Sequence, residues 1–270
     1  MLKLGFVGAG NMGSAILRGL IAAKYISADD MAICDLSAKK LEALSDEIPG
    51  LTCTESDQEL VEMCDMVILA VKPQYMAETI EHIHPYLSGK AVVSIAAGWT
   101  VDQLAEALEG SGATYLRVMP NTPAMVGEAM SALCPNEQVS EEELSLVKQI
   151  FDCFGVAEVV KESLIDAVIG VSGSSPAYVY MFIEAMADAA VLAGMPRKQA
   201  YTFAAQAVLG SAKMVLETGI HPGELKDMVC SPGGTTIEAV AELEKHGMRS
   251  AVIEAMKACM DKSKEMSQKK

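Results

Sequence analysis

A doubly wound α/β sheet followed by an all-α second half is the fold class this sequence predicts, and three observations predict it. Short apolar runs of buried-strand type recur through residues 1–161, with amphipathic stretches between them. Such alternation builds a parallel sheet covered by helices. The first run passes straight into a glycine-rich turn and then into an apolar repeat at helical spacing. From about Lys161 the strand signals vanish and alanine-rich helical repeats take over. The predicted organisation is therefore an α/β domain over 1–161 and a helical domain over 162–270.

Leu2-Lys3-Leu4-Gly5-Phe6-Val7 is the first strand. Gly8-Ala9-Gly10-Asn11-Met12-Gly13 follows, then Ala15, Ile16, Leu17, Leu20 and Ile21 on a helical repeat. This is a GxGxxG pattern between strand and helix, the context that gives it meaning. Gly8 permits the tight turn, Gly10 lets the backbone approach a pyrophosphate, and Gly13 lets the helix pack on the strand. Residues 1–161 thus read as a Rossmann-like dinucleotide-binding domain, with Gly8 to Gly13 as cofactor positions. The second strand, Met31 to Cys34, ends at Asp35, about twenty residues beyond the fingerprint, where an acid accepts from the ribose hydroxyls of NAD and repels the 2′-phosphate of NADP. Asp35 predicts that NADH is accepted at least as well as NADPH. Ser37, Lys39 and Lys40 follow at once and are phosphate-binding types, although a solvated helix face is the plainer reading of the lysines.

Three further strands run over 66–73, stopped by Pro73, over 91–98, ending in small residues, and over 115–119, and two weaker ones over 129–134 and 156–160. Helices are expected at 37–47, 57–63, 74–87, 100–108 and 140–152. In such a sheet ligands sit beyond the carboxyl ends of the strands. The strand ends Ala70-Val71-Lys72-Pro73, Ala96-Ala97-Gly98 and Pro120-Asn121-Thr122 are therefore candidates to line the cofactor, with Asn121 the polar group expected near the nicotinamide.

In the second half the spacing predicts helices over 163–171, 176–193, 197–217, 222–230, 236–246 and 248–266. The helix from Pro176 to Ala193 is apolar nearly all round, which reads as a buried helix. A domain of such helices has more apolar surface than one subunit can hide, which predicts subunit pairing. Within it, Ser231-Pro232-Gly233-Gly234-Thr235-Thr236 leads into the repeat Ile237, Val240, Ala241 and Leu243. The chain enters this helix through a turn, so the first backbone N–H groups lack intrahelical partners and suit a carboxylate or phosphate. Val171-Ser172-Gly173-Ser174-Ser175-Pro176 repeats the theme of a hydroxyl-rich turn at a helix start.

Composition narrows the classes of function. The chain has 270 residues, is 51% hydrophobic and carries a net charge of −15. No basic stripe is present, which argues against nucleic-acid and membrane-surface partners. The seven cysteines are scattered and without a CxxC, as expected of small core hydrophobes in a reducing compartment. The four histidines form no ligand set, so no metal site is expected. The glycine motif begins too early for a signal peptide and no apolar run reaches spanning length. A cytoplasmic protein is expected.

The stretch Pro222 to Glu244, with Leu225, Val229-Cys230-Ser231, Gly233-Gly234, Thr236, Ala239-Val240 and Leu243-Glu244, resembles the signature of the pyrroline-5-carboxylate reductases. The likeness runs through GFVGAGNMG, AVKP, SIAAG, MPNTP, VSGSSPAY and PGELKDMVCSPGGTT. It implies reduction of 1-pyrroline-5-carboxylate to L-proline with NADPH or NADH, and a homodimer through the helical domain, often assembled into a decamer. It places cofactor positions on Gly8 to Met12, Ala70 to Pro73 and Ser94 to Ala97. Substrate-loop positions fall on Ser231 and on Gly233, Gly234, Thr235 and Thr236, with a substrate-site glutamate matching Glu162. Ser231 and Thr236 are the candidate catalytic hydroxyls. Relatives often carry Asn or Ser where this chain has Asp35 and Asp57, both expected near the adenosine ribose. A reductase of another cyclic imine acid would need the same machinery.

Overall fold

The structure is a computed structural model, and it describes residues 2–268. Eight strands form one sheet in the order β3-β2-β1-β4-β5-β6-β7-β8. They are β1 (Leu4–Val7), β2 (Met31–Cys34), β3 (Thr52–Thr54), β4 (Met66–Leu69), β5 (Ala91–Ser94), β6 (Thr114–Met119), β7 (Ala129–Pro135) and β8 (Gly155–Val159). Every neighbouring pair is parallel except β6–β7, which is antiparallel. The order reverses at β1, the point where dinucleotides bind in doubly wound sheets.

Two cores form because successive strand side chains point to opposite faces. Phe6 packs on one face with Ile16, Leu17, Leu44, Ile150 and Phe151. Val7 packs on the other with Leu60, Ile80, Trp99 and Leu104. The covering helices are α1 (Asn11–Ala22), α2 (Ala38–Glu47), α3 (Asp57–Met63), α4 (Met76–Ile83), α5 (Val101–Ala107) and α6 (Glu141–Asp152). The starts of α5 and α6 are fixed by capping boxes, Thr100 with Gln103 and Ser140 with Glu143, in which two otherwise orphaned backbone N–H groups are satisfied reciprocally. The edge strand β3, which the apolar pattern did not reveal, is three residues long and only half-buried.

The chain divides into two compact units, Met1–Gly173 with Met260–Lys270, and Ser174–Cys259. The first unit thus runs past the expected boundary at 161. Glu162 is tied into it through Arg117 and Val101, and Asp166 accepts a hydrogen bond from Ser263. After α7 (Ile165–Val168), residues Ile169–Gly173 form one π-helical turn. The expected hydroxyl-rich loop is therefore largely helical, and its Ser172 hydroxyl donates back to Val168 O at 3.1 Å.

The second unit contains α8 (Ser175–Leu192), α9 (Arg197–Thr218), α10 (Pro222–Val229), α11 (Thr235–Lys245) and α12 (Met248–Gln268) as far as Cys259. Pro176 sits in the first turn of α8, and α9 stops at Gly219 with φ 64°, where a residue without Cβ takes the left-handed conformation cheaply. The expectation that α8 is buried on every side fails for the single chain. Ala187 is its one buried residue, while Tyr180 is 60% and Met181 69% exposed. Phe203 and Leu216 of α9 are also exposed. An apolar sequence states what must be hidden without naming the cover. No helix among the described residues is long and apolar enough to cross a membrane.

Candidate active site

Each unit carries one of the two candidate ligand turns, and the sequence explains the shape of both. In the α/β unit β1 ends at Val7, and Gly8 N–H donates to Cys34 O at 2.7 Å. Gly8 has φ +112°, and a Cβ there would lie 2.7 Å from Ala70 O. A Cβ on Gly13 would lie 2.4 Å from Gly8 O. Both positions demand glycine, because the loop, α1 and the end of β4 meet backbone to backbone. Gly10 differs: nothing lies within 4 Å of its Cβ position. It is the N-cap of α1, with no side-chain cap and no acid in the first turn. The positive end of the helix is left uncompensated over open space, an arrangement that suits a phosphate. The residues present therefore fit a dinucleotide pyrophosphate.

Asp35 stands where β2 ends. Its carboxylate accepts from Ala9 N–H at 2.8 Å, from Ser37 N–H at 2.9 Å and from Lys40 Nζ at 3.1 Å. Burial opposes its charge, but these N–H groups and Lys40 outweigh burial and hold Asp35 below the usual carboxylate range. Asp57 opens α3 beside the Ser56 cap and lies 3.7 Å from His82 Nδ1. Ala70, Val71 and Pro73 are half-buried on the turn after β4, and Lys72 is exposed. Ser94 closes β5 fully buried, with Ala96 buried and Ala97 exposed beyond it. Trp99 Nε1 donates to Pro73 O at 3.1 Å, tying these two cofactor turns together. All lie on the carboxyl-end rim of the parallel strands, so the predicted cofactor positions are brought together in one unit.

Two predicted residues have duties the sequence did not show. Asn121 is 8% exposed and its amide is engaged at both ends: Nδ2 donates to Ser172 O at 2.9 Å and Oδ1 accepts from Met130 N–H at 2.9 Å. It holds the rim in place, with one N–H and one lone pair of the amide left over. Glu162 Oε1 accepts from Val101 N–H at 2.7 Å and from Arg117 at 2.8 Å. It caps α5 and neutralises a guanidinium whose side chain is 5% exposed. Arg117 was missed altogether, although a lone cation in the apolar run Tyr-Leu-Arg-Val-Met was the signal. A charge buried in a sheet requires a partner.

In the helical unit the Ser231–Thr236 turn is built as its glycines suggest. Gly233 has φ +65° and Gly234 N–H donates to Ser231 O at 3.0 Å. A Cβ on Gly234 would lie 2.3 Å from the Ser231 hydroxyl oxygen, so no side chain fits there unless Ser231 turns away. Gly234 is the N-cap of α11 without a side-chain cap. Its leading N–H groups are open to an acceptor. Ser231 and Thr235 are exposed and Thr236 is half-buried.

Comparison with known proteins agrees with both halves. Residues 162–266 match the family model for pyrroline-5-carboxylate reductase dimerisation, and residues 3–98 match the model for NADP oxidoreductase, coenzyme F420-dependent. The chain is 57% identical over 266 residues to the pyrroline-5-carboxylate reductase of Escherichia coli, covering 98% of each. It is 45% identical over 268 residues to that of Methanosarcina acetivorans, covering 99% of this chain and 98% of the other. Among solved structures, the Coxiella burnetii pyrroline-5-carboxylate reductase aligns with a TM-score of 0.92 at 33% identity, covering 98% of both chains. The Plasmodium falciparum pyrroline carboxylate reductase, solved with NADP bound, aligns with a TM-score of 0.88 at 36% identity over 98% of both chains. The glycine loop under β1, the open amide turn before α11 and these full-length likenesses agree: the chain belongs to the pyrroline-5-carboxylate reductase family.

Proposed function

We propose that this chain reduces 1-pyrroline-5-carboxylate to L-proline with NADPH or NADH. The observation that carries the reading is the uncapped Ser231–Thr236 turn at the start of α11, in a chain that also holds an uncapped glycine loop at α1. Each turn offers backbone donors to an anion without an arginine. The Gly8–Gly13 loop, with the Ala70–Pro73 and Ser94–Ala97 turns, holds the dinucleotide. When bound, the reduced nicotinamide supplies a hydride to C5 of the cyclic imine. The amides of Gly233, Thr235 and Thr236 hold the substrate carboxylate, while the Gly234 N–H closes the turn on Ser231 O. The ring nitrogen gains its proton before binding, as iminium, or from water, and the Thr236 hydroxyl orients it. Ser231 supports the turn through its contact with Gly234.

The test is oxidation of each reduced cofactor at 340 nm with 1-pyrroline-5-carboxylate and with other cyclic imine acids. Thr236→Ala should lower kcat/KM for the pyrroline on the order of 10- to 1000-fold. Unchanged kcat/KM would remove Thr236 from the mechanism. A preference for another imine acid would move the reading to that substrate. The helical unit pairs with a second copy, and dimers assemble further into a decamer. The exposed apolar side chains of α8 and α9 support the pairing. The acidic charge and the absence of a basic stripe support an enzyme without a nucleic-acid partner, and the scattered cysteines without a CxxC support a reducing, cytoplasmic compartment.

A further inference from the structure

We infer that Lys40 is the residue that admits the 2′-phosphate of NADP to this site, so that the Asp35–Lys40 pair sets the choice between the two nicotinamide cofactors. The inference rests on the dinucleotide reading above and adds a specificity residue to it. Asp35 occupies the position from which an acid ordinarily repels that phosphate. It cannot easily be dispensed with, because its two oxygens hold Ala9 of the glycine loop and Ser37 of the following turn. A carboxylate has about four acceptor sites. The two backbone bonds take one on each oxygen, and Lys40 Nζ bridges both at 3.1 and 3.3 Å. The carboxylate is therefore saturated as it stands.

The partners differ in how readily they leave. The backbone bonds belong to the loop and the turn themselves. The Asp35 side chain is 15% exposed, whereas the Lys40 side chain is 50% exposed. An exposed lysine on a flexible stem exchanges acceptors at little cost. Lys40 also lines the same cleft, of about 540 Å³, as Ala9, Gly10 and Asn11. Its ammonium is thus held beside the open glycine turn by the one group a 2′-phosphate would otherwise meet. With NADP, the ammonium moves to a phosphate carrying a charge of about −1.5 to −2 and screens it from Asp35. With NAD, release of Lys40 opens acceptor sites on Asp35 for the ribose hydroxyls. Asp35 alone predicts NADH at least as well accepted as NADPH; the pair makes NADP acceptance depend on Lys40.

The test is equilibrium binding, read by titration calorimetry on the full-length protein without turnover. The probes are adenosine 2′,5′-bisphosphate and adenosine 5′-monophosphate. Lys40→Met is expected to lower the ratio of their affinities, 2′,5′-bisphosphate over monophosphate, about tenfold, the order of one charge-assisted pair. Lys40→Arg is expected to keep the ratio within about threefold of the parent, since the cation is retained. A Lys40→Met ratio within about twofold of the parent overturns the inference. So does a Lys40→Arg ratio as low as that of Lys40→Met, because a cation would then not be what the phosphate meets. Failure of the parent protein to bind either nucleotide overturns the dinucleotide reading itself, and the inference with it.

Discussion

The two units use similar residues to opposite ends. In the α/β unit Phe6, Phe151 and Phe154 are among the largest fully buried side chains, and both faces of the sheet are closed by the chain's own helices. In the helical unit the buried residues are alanines, Ala187, Ala200 and Ala204, while Tyr180, Met181, Phe203 and Leu216 lie open. A parallel sheet brings its cover with it, because each crossover between strands is a helix. A set of helices packed through alanine seams has no such built-in cover, and in the single chain its large side chains stay exposed. The first unit is a finished core and the second leaves its apolar faces open.

Four measurements test that contrast, in decreasing order of expected size. Phe151→Ala should cost about 3–5 kcal/mol in denaturant unfolding, the range for emptying a fully buried aromatic position. A cost near that of an exposed site would deny the α/β unit its closed core. Glu162→Ala should cost about 3 kcal/mol, the lower end for stripping a buried charge of its partner, since the Glu162 side chain is itself 31% exposed. Glu162→Gln, which keeps an acceptor for Val101 N–H and Arg117, should recover part of this loss. If the glutamate touches substrate instead, both variants will raise KM while leaving stability unchanged. Tenfold dilution should destabilise a paired helical unit by about 1.4 kcal/mol, lowering its midpoint by about 3–6 °C. A midpoint independent of concentration would make the helical unit self-sufficient after all.

The smallest effect belongs to the thiols. Burial pushes Cys34 up to about 12 and Cys64 and Cys134 to about 11 from an ordinary 9.0. Their folded values lie above their unfolded ones, so the native state keeps the proton longer. That contribution is fully present below pH 9 and is lost as pH rises through 11 to 12. By pH 10 the loss should be on the order of 1 kcal/mol for each thiol. Unfolding midpoints compared at pH 8 and pH 10 in parent and Cys64→Ala proteins check this. A variant that loses as much stability as its parent between those values would show that the thiol is not the titrating group.

The sequence disclosed the elements that carry their own signal. The glycine spacing at Gly8, Gly10 and Gly13 is a backbone requirement, and the structure shows the close approaches that impose it. The helix expected over 140–152 begins within one residue of its place because its Ser140 cap is local, whereas α9, expected to end at 217, runs to the turn at Gly219. What stayed hidden depends on residues distant in the chain. Edge strand β3 is held by pairing with β2 through three residues with no apolar run. The π turn at Ile169–Gly173 follows the pattern of an ordinary helix. The duties of Asn121 and Glu162 come from partners that lie 9 to 61 positions away, so neither residue announces from its neighbours that it is a brace.

That brace at Asn121 limits how the rim can vary. A single amide rivets the turn after β6, the beginning of β7 and the carbonyl of the π turn. The stretch between the two ends of the rivet, residues 122–129, is thereby cut to length. An inserted or deleted residue would pull Met130 out of reach, or shift the left-handed turn at Gly127 onto a residue with a Cβ, which takes that conformation at a cost. Drift in this family can redecorate that loop with new side chains, but it cannot lengthen or shorten it without first finding another fastener.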